Sequence, residues 1–121
     1  EKEAAVMTDK TRLKVVLHNL VSNCIKYRDP AKEQNWIRFE SSQNETHWDL
    51  TITDNGIGIR PEYLDKVFNM YFRATETSKG SGLGLFIVKE TLRKINGTIE
   101  VHSELGQYTS FILRISDVAR E

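Results

Sequence analysis

Two separate pairs of strand-like runs, each preceded by helical sequence, leave few folds open to this chain. In the run His47 to Thr53, Trp48, Leu50 and Ile52 alternate with Asp49, Thr51 and Thr53, the period of a strand with one wet face. The run Trp36 to Ser42 precedes it across Gln43-Asn44-Glu45, which reads as a hairpin. A second pair, Thr98 to Ser103 and Tyr108 to Ser116, is joined across Glu104-Leu105-Gly106-Gln107. Ahead of the first pair, Asp9 can cap a helix from Lys10 to Tyr27 that Asp29-Pro30 stops. Leu13, Val16, Leu17, Leu20 and Cys24 recur along it at i, i+3, i+4 spacing, so one face packs on a core. Between the pairs, Pro61 suits the first turn of a short helix, Pro61 to Phe68. A longer helix then runs from Gly82 to Ile95 and ends at Asn96-Gly97. Runs of this kind, rather than strict alternation, predict an α+β fold: a two-layer sandwich, with a mixed sheet and helices packed on one face.

With 121 residues and 39% apolar content the chain holds one domain, residues 1–121, with one core. Residues 1–8 read as the tail of a preceding segment. No stretch approaches the ~20 apolar residues of a spanning helix, and the start has no apolar run of signal-peptide length. Lys plus Arg number 17 and Asp plus Glu number 17, so the electrostatic footprint of a nucleic-acid binder is absent. The single cysteine, Cys24, excludes an internal disulfide. The expectation is a cytoplasmic domain, part of a larger and membrane-bound or soluble protein, with no nucleic-acid partner and no membrane contact of its own.

Four constellations could carry chemistry. Asn19, Asn23, Lys26 and Tyr27 sit at i, i+4, i+7 and i+8, on a helix face turned from the apolar one by about 100°. They form either a solvated face or a site in which an amide oxygen ligates a hard cation and Lys26 neutralises phosphate. Asp54-Asn55-Gly56-Ile57-Gly58-Ile59 breaks the strand period. It is either an Asx turn or a loop where a carboxylate accepts from an amino group while glycines admit a flat ligand. Gly80-Ser81-Gly82-Leu83-Gly84-Leu85 opens a helix and could cradle phosphate with backbone N–H groups. It lacks the lysine ending of a P-loop and follows no strand, which disfavours both common nucleotide folds. Phe68-Asn69-Met70-Tyr71-Phe72-Arg73 reads as core packing, with Arg73 within reach of a phosphate.

Together, in this order and spacing, the four resemble the N, G1, F and G2 boxes of the ATP-binding domain of sensor histidine kinases, from Asp9 to Ile115. The same wider group includes type II topoisomerase, mismatch-repair and heat-shock chaperone ATPases. The resemblance implies that Asp54 accepts from the adenine amino group, with Gly56, Gly58 and Ile59 in the loop around the base. It implies that Asn23 holds Mg²⁺ with Asn19 beside it, that Lys26 contacts phosphate, and that Tyr27 stacks near the adenine. Arg73 and Lys79 would touch the terminal phosphates, and Gly82, Leu83, Gly84 and Leu85 would hold the phosphate chain. Thr109 would help fix the base above Phe111. The family's late motif has a glycine where this chain has Tyr108, and the stretch from Arg73 to Gly80 is short for an ATP lid.

The resemblance also ranks activities. Relatives that hydrolyse ATP carry a glutamate four residues before the metal-binding asparagine; here that position is Asn19, which cannot act as a base. Phosphoryl transfer to a histidine needs mainly positioning and charge neutralisation, so kinase stands ahead of the alternatives, an ATP-driven switch or a degenerate nucleotide-binding module. None of the three histidines, His18, His47 and His102, has a helical-hairpin context. The acceptor would then lie on a separate dimerising domain of the full-length homodimer, with a response regulator downstream.

Overall fold

The computed structural model describes residues 9–72 and 82–116. Helix α1 spans Lys10–Lys26, strands β1 and β2 span Ile37–Gln43 and His47–Asp54, helix α2 spans Gly84–Arg93, and strands β3 and β4 span Gly97–Glu104 and Tyr108–Ser116. The sheet order is β1-β2-β4-β3.

Both ends of α1 are explained locally. The Asp9 carboxylate accepts from the Arg12 N–H at 3.0 Å, closing the first turn as an N-cap does. At the other end Pro30 disfavours helical backbone in the residue before it, and the Tyr27 N–H makes the last turn's bond to the Asn23 carbonyl at 3.1 Å. Val16, Leu20 and Cys24, one turn apart, are buried. They meet Val88 and Leu92 of α2, Leu50 and Ile52 of β2, and Phe111, Leu113 and Ile115 of β4 in one core. The opposite sheet face is polar. There Asp49 and Arg114 are cross-strand partners joined by two hydrogen bonds of 2.9 and 3.0 Å, and the Thr53 and Ser110 hydroxyls meet at 2.8 Å.

The α+β sandwich with helices on one face is as expected, but its sheet is not mixed: among the described residues every strand pair is antiparallel. β2 and β3 do point the same way, yet β4 lies between them and pairs with both. The expected helix from Pro61 to Phe68 reduces to a 3₁₀ turn over Pro61–Tyr63. After it the backbone repeats i to i+3 bonds, from the Lys66 N–H to Tyr63 O at 2.8 Å and from Asn69 to Lys66 O at 2.9 Å, and only Val67 is fully buried. A segment with so little apolar face gains nothing from longer helix. α2 begins at Gly84 rather than Gly82, because Gly82 has a φ of +79° and cannot continue a right-handed helix.

Candidate functional site

The site forms at one end of the sheet, where the row Ile37, Asp54, Thr109 and Ser103 crosses all four strands beneath the last turns of α1. Asp54 and Thr109 are direct cross-strand partners, each only 6% exposed. A buried carboxylate needs hydrogen-bond partners. The Gly56 N–H donates to one Asp54 oxygen at 2.8 Å, and the Cys24 thiol of α1 also donates to the carboxylate. Burial raises the Asp54 pKa above the usual carboxylate range, opposed by the Gly56 N–H, the Cys24 thiol and the nearby Lys32 charge. Burial and the Asp54 charge push the Cys24 thiol up to about 12, so it stays protonated as a donor.

Ser103 organises the other half of the row. Its hydroxyl donates to the Tyr108 carbonyl at 2.7 Å, accepts from the Ile59 N–H at 2.8 Å and lies 3.1 Å from the Thr109 hydroxyl. A serine has one proton. With that proton on the Tyr108 carbonyl, Thr109 donates to Ser103 and keeps its own lone pairs as acceptors. Tyr108, where the family's motif has a glycine, sits in strand backbone opposite Glu104; the turn's left-handed residue is Gly106, φ +80°.

The loop after Asp54 owes its glycines to this chain's own backbone. A Cβ on Gly56 would lie 2.4 Å from the Tyr27 carbonyl oxygen, which also accepts from the Ile57 N–H at 3.0 Å. At Gly58, φ is +77° and a Cβ would lie 2.5 Å from the Glu104 carbonyl oxygen. The two glycines thus let α1 and the β3–β4 turn close against the loop, a packing reason beside the ligand approach expected from sequence. Gly58→Ala combines strain with a backbone clash and is expected to cost about 2–3 kcal/mol, measured as a lower urea midpoint with unchanged slope.

α1 presents Asn19 and Asn23, both half-buried, on one face. The Asn19 amide donates to the Val15 carbonyl at 2.8 Å, and its oxygen lies 3.4 Å from where a Gly84 Cβ would stand. The first turn of α2 therefore abuts the asparagine face, bringing together the expected phosphate-holding segment, Gly82 to Leu85, and the expected metal-holding face. Leu83 at the N-cap of α2 has no side-chain oxygen to cap the helix. Lys26 extends over the Tyr27 ring at 5.1 Å from its centre. Phe111 is fully buried, two residues beyond Thr109 on β4, with its ring edge-on to Phe68 at 6.3 Å between centres. Arg73, Lys79 and the rest of the expected lid lie outside the described residues.

Among the described residues no three His, Cys, Asp or Glu side chains cluster as a metal cage. Asn23, half-buried on α1, offers a neutral amide oxygen, the kind of donor Mg²⁺ takes alongside water and phosphate oxygens. A half-open cleft of about 300 Å³ lies on the β1 side of Asp54, lined by Cys24, Ile25, Trp36 and Ile37 among others. It adjoins Asp54 and Gly56 but is not the asparagine face.

Residues 8–119 match the family of histidine kinase-, DNA gyrase B-, and HSP90-like ATPases. The chain belongs to that family. This ATPase-family domain is 39% identical over 111 residues to the sensor protein SrrB of Staphylococcus aureus, covering 88% of this chain and 18% of SrrB. The domain thus spans under a fifth of the curated relatives it matches. Among solved structures it resembles the mycobacterial sensor histidine kinase MprB at TM-score 0.79 and 29% identity, covering 92% of this chain and 76% of that one. It also resembles full-length ShkA solved in complex with AMPPNP, at TM-score 0.75 and 26% identity, covering 88% and 22%. Sequence reasoning missed Ser103, Lys32 and the second role of Cys24. Cys24 reads as an ordinary core position, and only the register sets Ser103 beside Thr109.

Proposed function

We propose that this domain binds Mg-ATP and donates the γ-phosphoryl group to a histidine on a separate dimerising domain of a sensor histidine kinase. The observation that carries the reading is the buried cross-strand pair Asp54 and Thr109, both acceptors, directly under a helix whose polar face bears Asn19 and Asn23. Two acceptors suit the amino group of adenine and repel the carbonyl at the same position of guanine. Gly56, Gly58 and Ile59 line the base, with Tyr27 against it. Lys26, Arg73 and Lys79 neutralise phosphate charge, and the α2 N-terminus from Gly82 to Leu85 takes the phosphate chain at the positive end of its dipole.

Asn23 would hold Mg²⁺, which supplies charge neutralisation at the phosphates. In the transfer the bond from the γ-phosphorus to the β–γ bridging oxygen breaks and ADP leaves. A phosphorus–nitrogen bond to the imidazole forms, and the imidazole proton goes to solvent. Asn19 stands where a water-activating base would be needed, and a neutral amide takes no proton, which favours transfer over hydrolysis. The acceptor domain, its homodimer and a downstream response regulator complete the proposed pathway on the cytoplasmic side. No helix among the described residues is long and apolar enough to cross a membrane.

Calorimetric titration with Mg-ADP and Mg-GDP tests the site. Binding of ADP with at least about tenfold preference over GDP is expected from one additional satisfied hydrogen bond to a charged group. Equal affinity for the two would remove Asp54 and Thr109 from base recognition.

A further inference from the structure

Lys32 lies in the loop between α1 and β1, and its ammonium reaches three backbone carbonyls at once. It donates to Asn55 O at 2.6 Å, to Gly56 O at 3.3 Å and to Gln107 O at 3.1 Å. An ammonium has three protons, so these three acceptors use all of them. Asn55 and Gly56 directly follow Asp54, and Gln107 stands two residues before Thr109. One side chain thus ties together the two loops that adjoin the strand ends bearing the buried acceptor pair. These loops are 75 residues apart from Lys32 at one contact and 23 at the other.

The loop that carries Lys32 is itself braced. The Asp29 N–H donates to the Asn35 side-chain oxygen at 2.9 Å, the Asn35 amide donates back to the Asp29 carbonyl at 3.0 Å, and the Ala31 N–H bonds the Asp29 carboxylate at 2.9 Å. Asn55 closes the same region from the other side, accepting from the Trp36 N–H at 2.7 Å and donating to the Gln34 carbonyl at 2.9 Å. Lys32 is therefore presented by a fixed loop. Its charge also faces the Asp54 carboxylate and favours its ionised form.

We propose that Lys32 is a positioning residue for base recognition: by clamping the carbonyls of Asn55, Gly56 and Gln107 it sets Asp54 and Thr109 at the spacing that reads an adenine amino group. It touches no nucleotide itself. The inference rests on the nucleotide reading above and goes beyond it, because the phosphate-holding elements, α1 and α2, make none of these contacts.

The test is competition binding of ADP, ATP and GDP to this chain, with Lys32 as Met, Arg and the native residue. Lys32→Met keeps the length of the side chain and removes the donors. It is expected to weaken ADP and ATP alike by about tenfold, the loss of a hydrogen bond to a charged group. GDP affinity should stay unchanged, so that adenine preference falls by the same factor. Lys32→Arg, whose guanidinium offers five donors, should restore most of the preference. Amide exchange at Ile57 and Gly106 should quicken in Lys32→Met and recover in Lys32→Arg. A purely structural role would lower stability while leaving the ADP-to-GDP ratio untouched, and that result overturns the proposal. So does a Lys32→Met protein with native ADP affinity. Should Lys32→Met fail to fold by circular dichroism, Lys32→Gln carries the same comparison. Native protein that binds no adenine nucleotide would instead bring down the nucleotide reading, and this inference with it.

Discussion

Replacing Asp54 with Asn is expected to abolish adenine-nucleotide binding and at the same time to make the folded domain more stable at neutral pH. The two effects share one cause. Asp54 is buried beside Thr109, with the Gly56 N–H at 2.8 Å and the Cys24 thiol as donors. Asparagine keeps an oxygen for the Gly56 N–H but presents an amide N–H₂ elsewhere, donor against donor if an adenine amino group approaches. Loss of a charged acceptor in a buried site, with a donor put in its place, weakens binding at least about a hundredfold. The stability effect follows from linkage. Burial raises the folded-state pKa of Asp54 above its unfolded value, so the fold prefers the neutral carboxyl. Wild-type stability attributable to this group is complete below the unfolded pKa and is lost as pH rises through the raised folded one. The neutral amide carries no such penalty. Thermal melts of the two proteins should therefore converge in acid and separate as pH rises towards neutral, the variant melting higher. Calorimetry reads the binding half. A variant that binds ADP like the native protein would remove Asp54 from recognition. One that melts lower at neutral pH would show that the carboxylate stabilises the fold.

Much of this architecture was legible because its periods are local. The α1 stripe of Val16, Leu20 and Cys24 and the alternation of Trp48, Leu50 and Ile52 each report a face that the structure does bury. The order of runs was enough for the α+β layering. It was not enough for strand order, since no local pattern says that β4 inserts between β2 and β3. That insertion makes every described pair antiparallel. It also makes the site, because Asp54 and Thr109 become neighbours only through it. The short helix after Pro61 failed for another reason. Proline marks a possible helix start, whereas continuation depends on an apolar face, and between Tyr63 and Phe72 only Val67 is buried. The candidate site divides the same way. Asp54, Asn19 and Asn23 stand out as polar residues at odd places in a period. Lys32 looks like any loop lysine until its three carbonyl partners, distant in sequence, are seen around it. The glycines were conspicuous, but their neighbours were not: Gly56 and Gly58 lie against Tyr27 and Glu104 carbonyls of this chain.

Offered Mg-ATP on its own, the chain is expected to bind it and release phosphate no faster than the uncatalysed background, and to incorporate no label from γ-labelled ATP. Hydrolysis requires a base close to the nucleotide's terminal phosphate. Asn19, proposed above to stand at that place on α1, donates its amide to the Val15 carbonyl and holds its oxygen towards Gly84; an amide does not accept a proton at neutral pH. Self-labelling requires a histidine that can meet the phosphate. His18 is on the exposed side of α1, His47 is engaged with Asn44 and Thr46 at a hairpin, and His102 sits beside Glu100 on β3. None of these elements is a helical hairpin free to dock. Label should enter protein only when a dimerising histidine hairpin is supplied, and it should be lost in acid, as a phosphorus–nitrogen bond is. Asn23→Ala removes the amide oxygen assigned to Mg²⁺ and should lower that transfer by about a hundredfold or more, the size of effect seen when one preorganised electrostatic contact is deleted. Metal-free ADP binding should survive it, because Asp54 and Thr109 lie on the sheet and not on α1. Steady phosphate release by the chain alone would make it an ATPase. Failure to transfer to any hairpin, with binding intact, would make it a nucleotide-binding module.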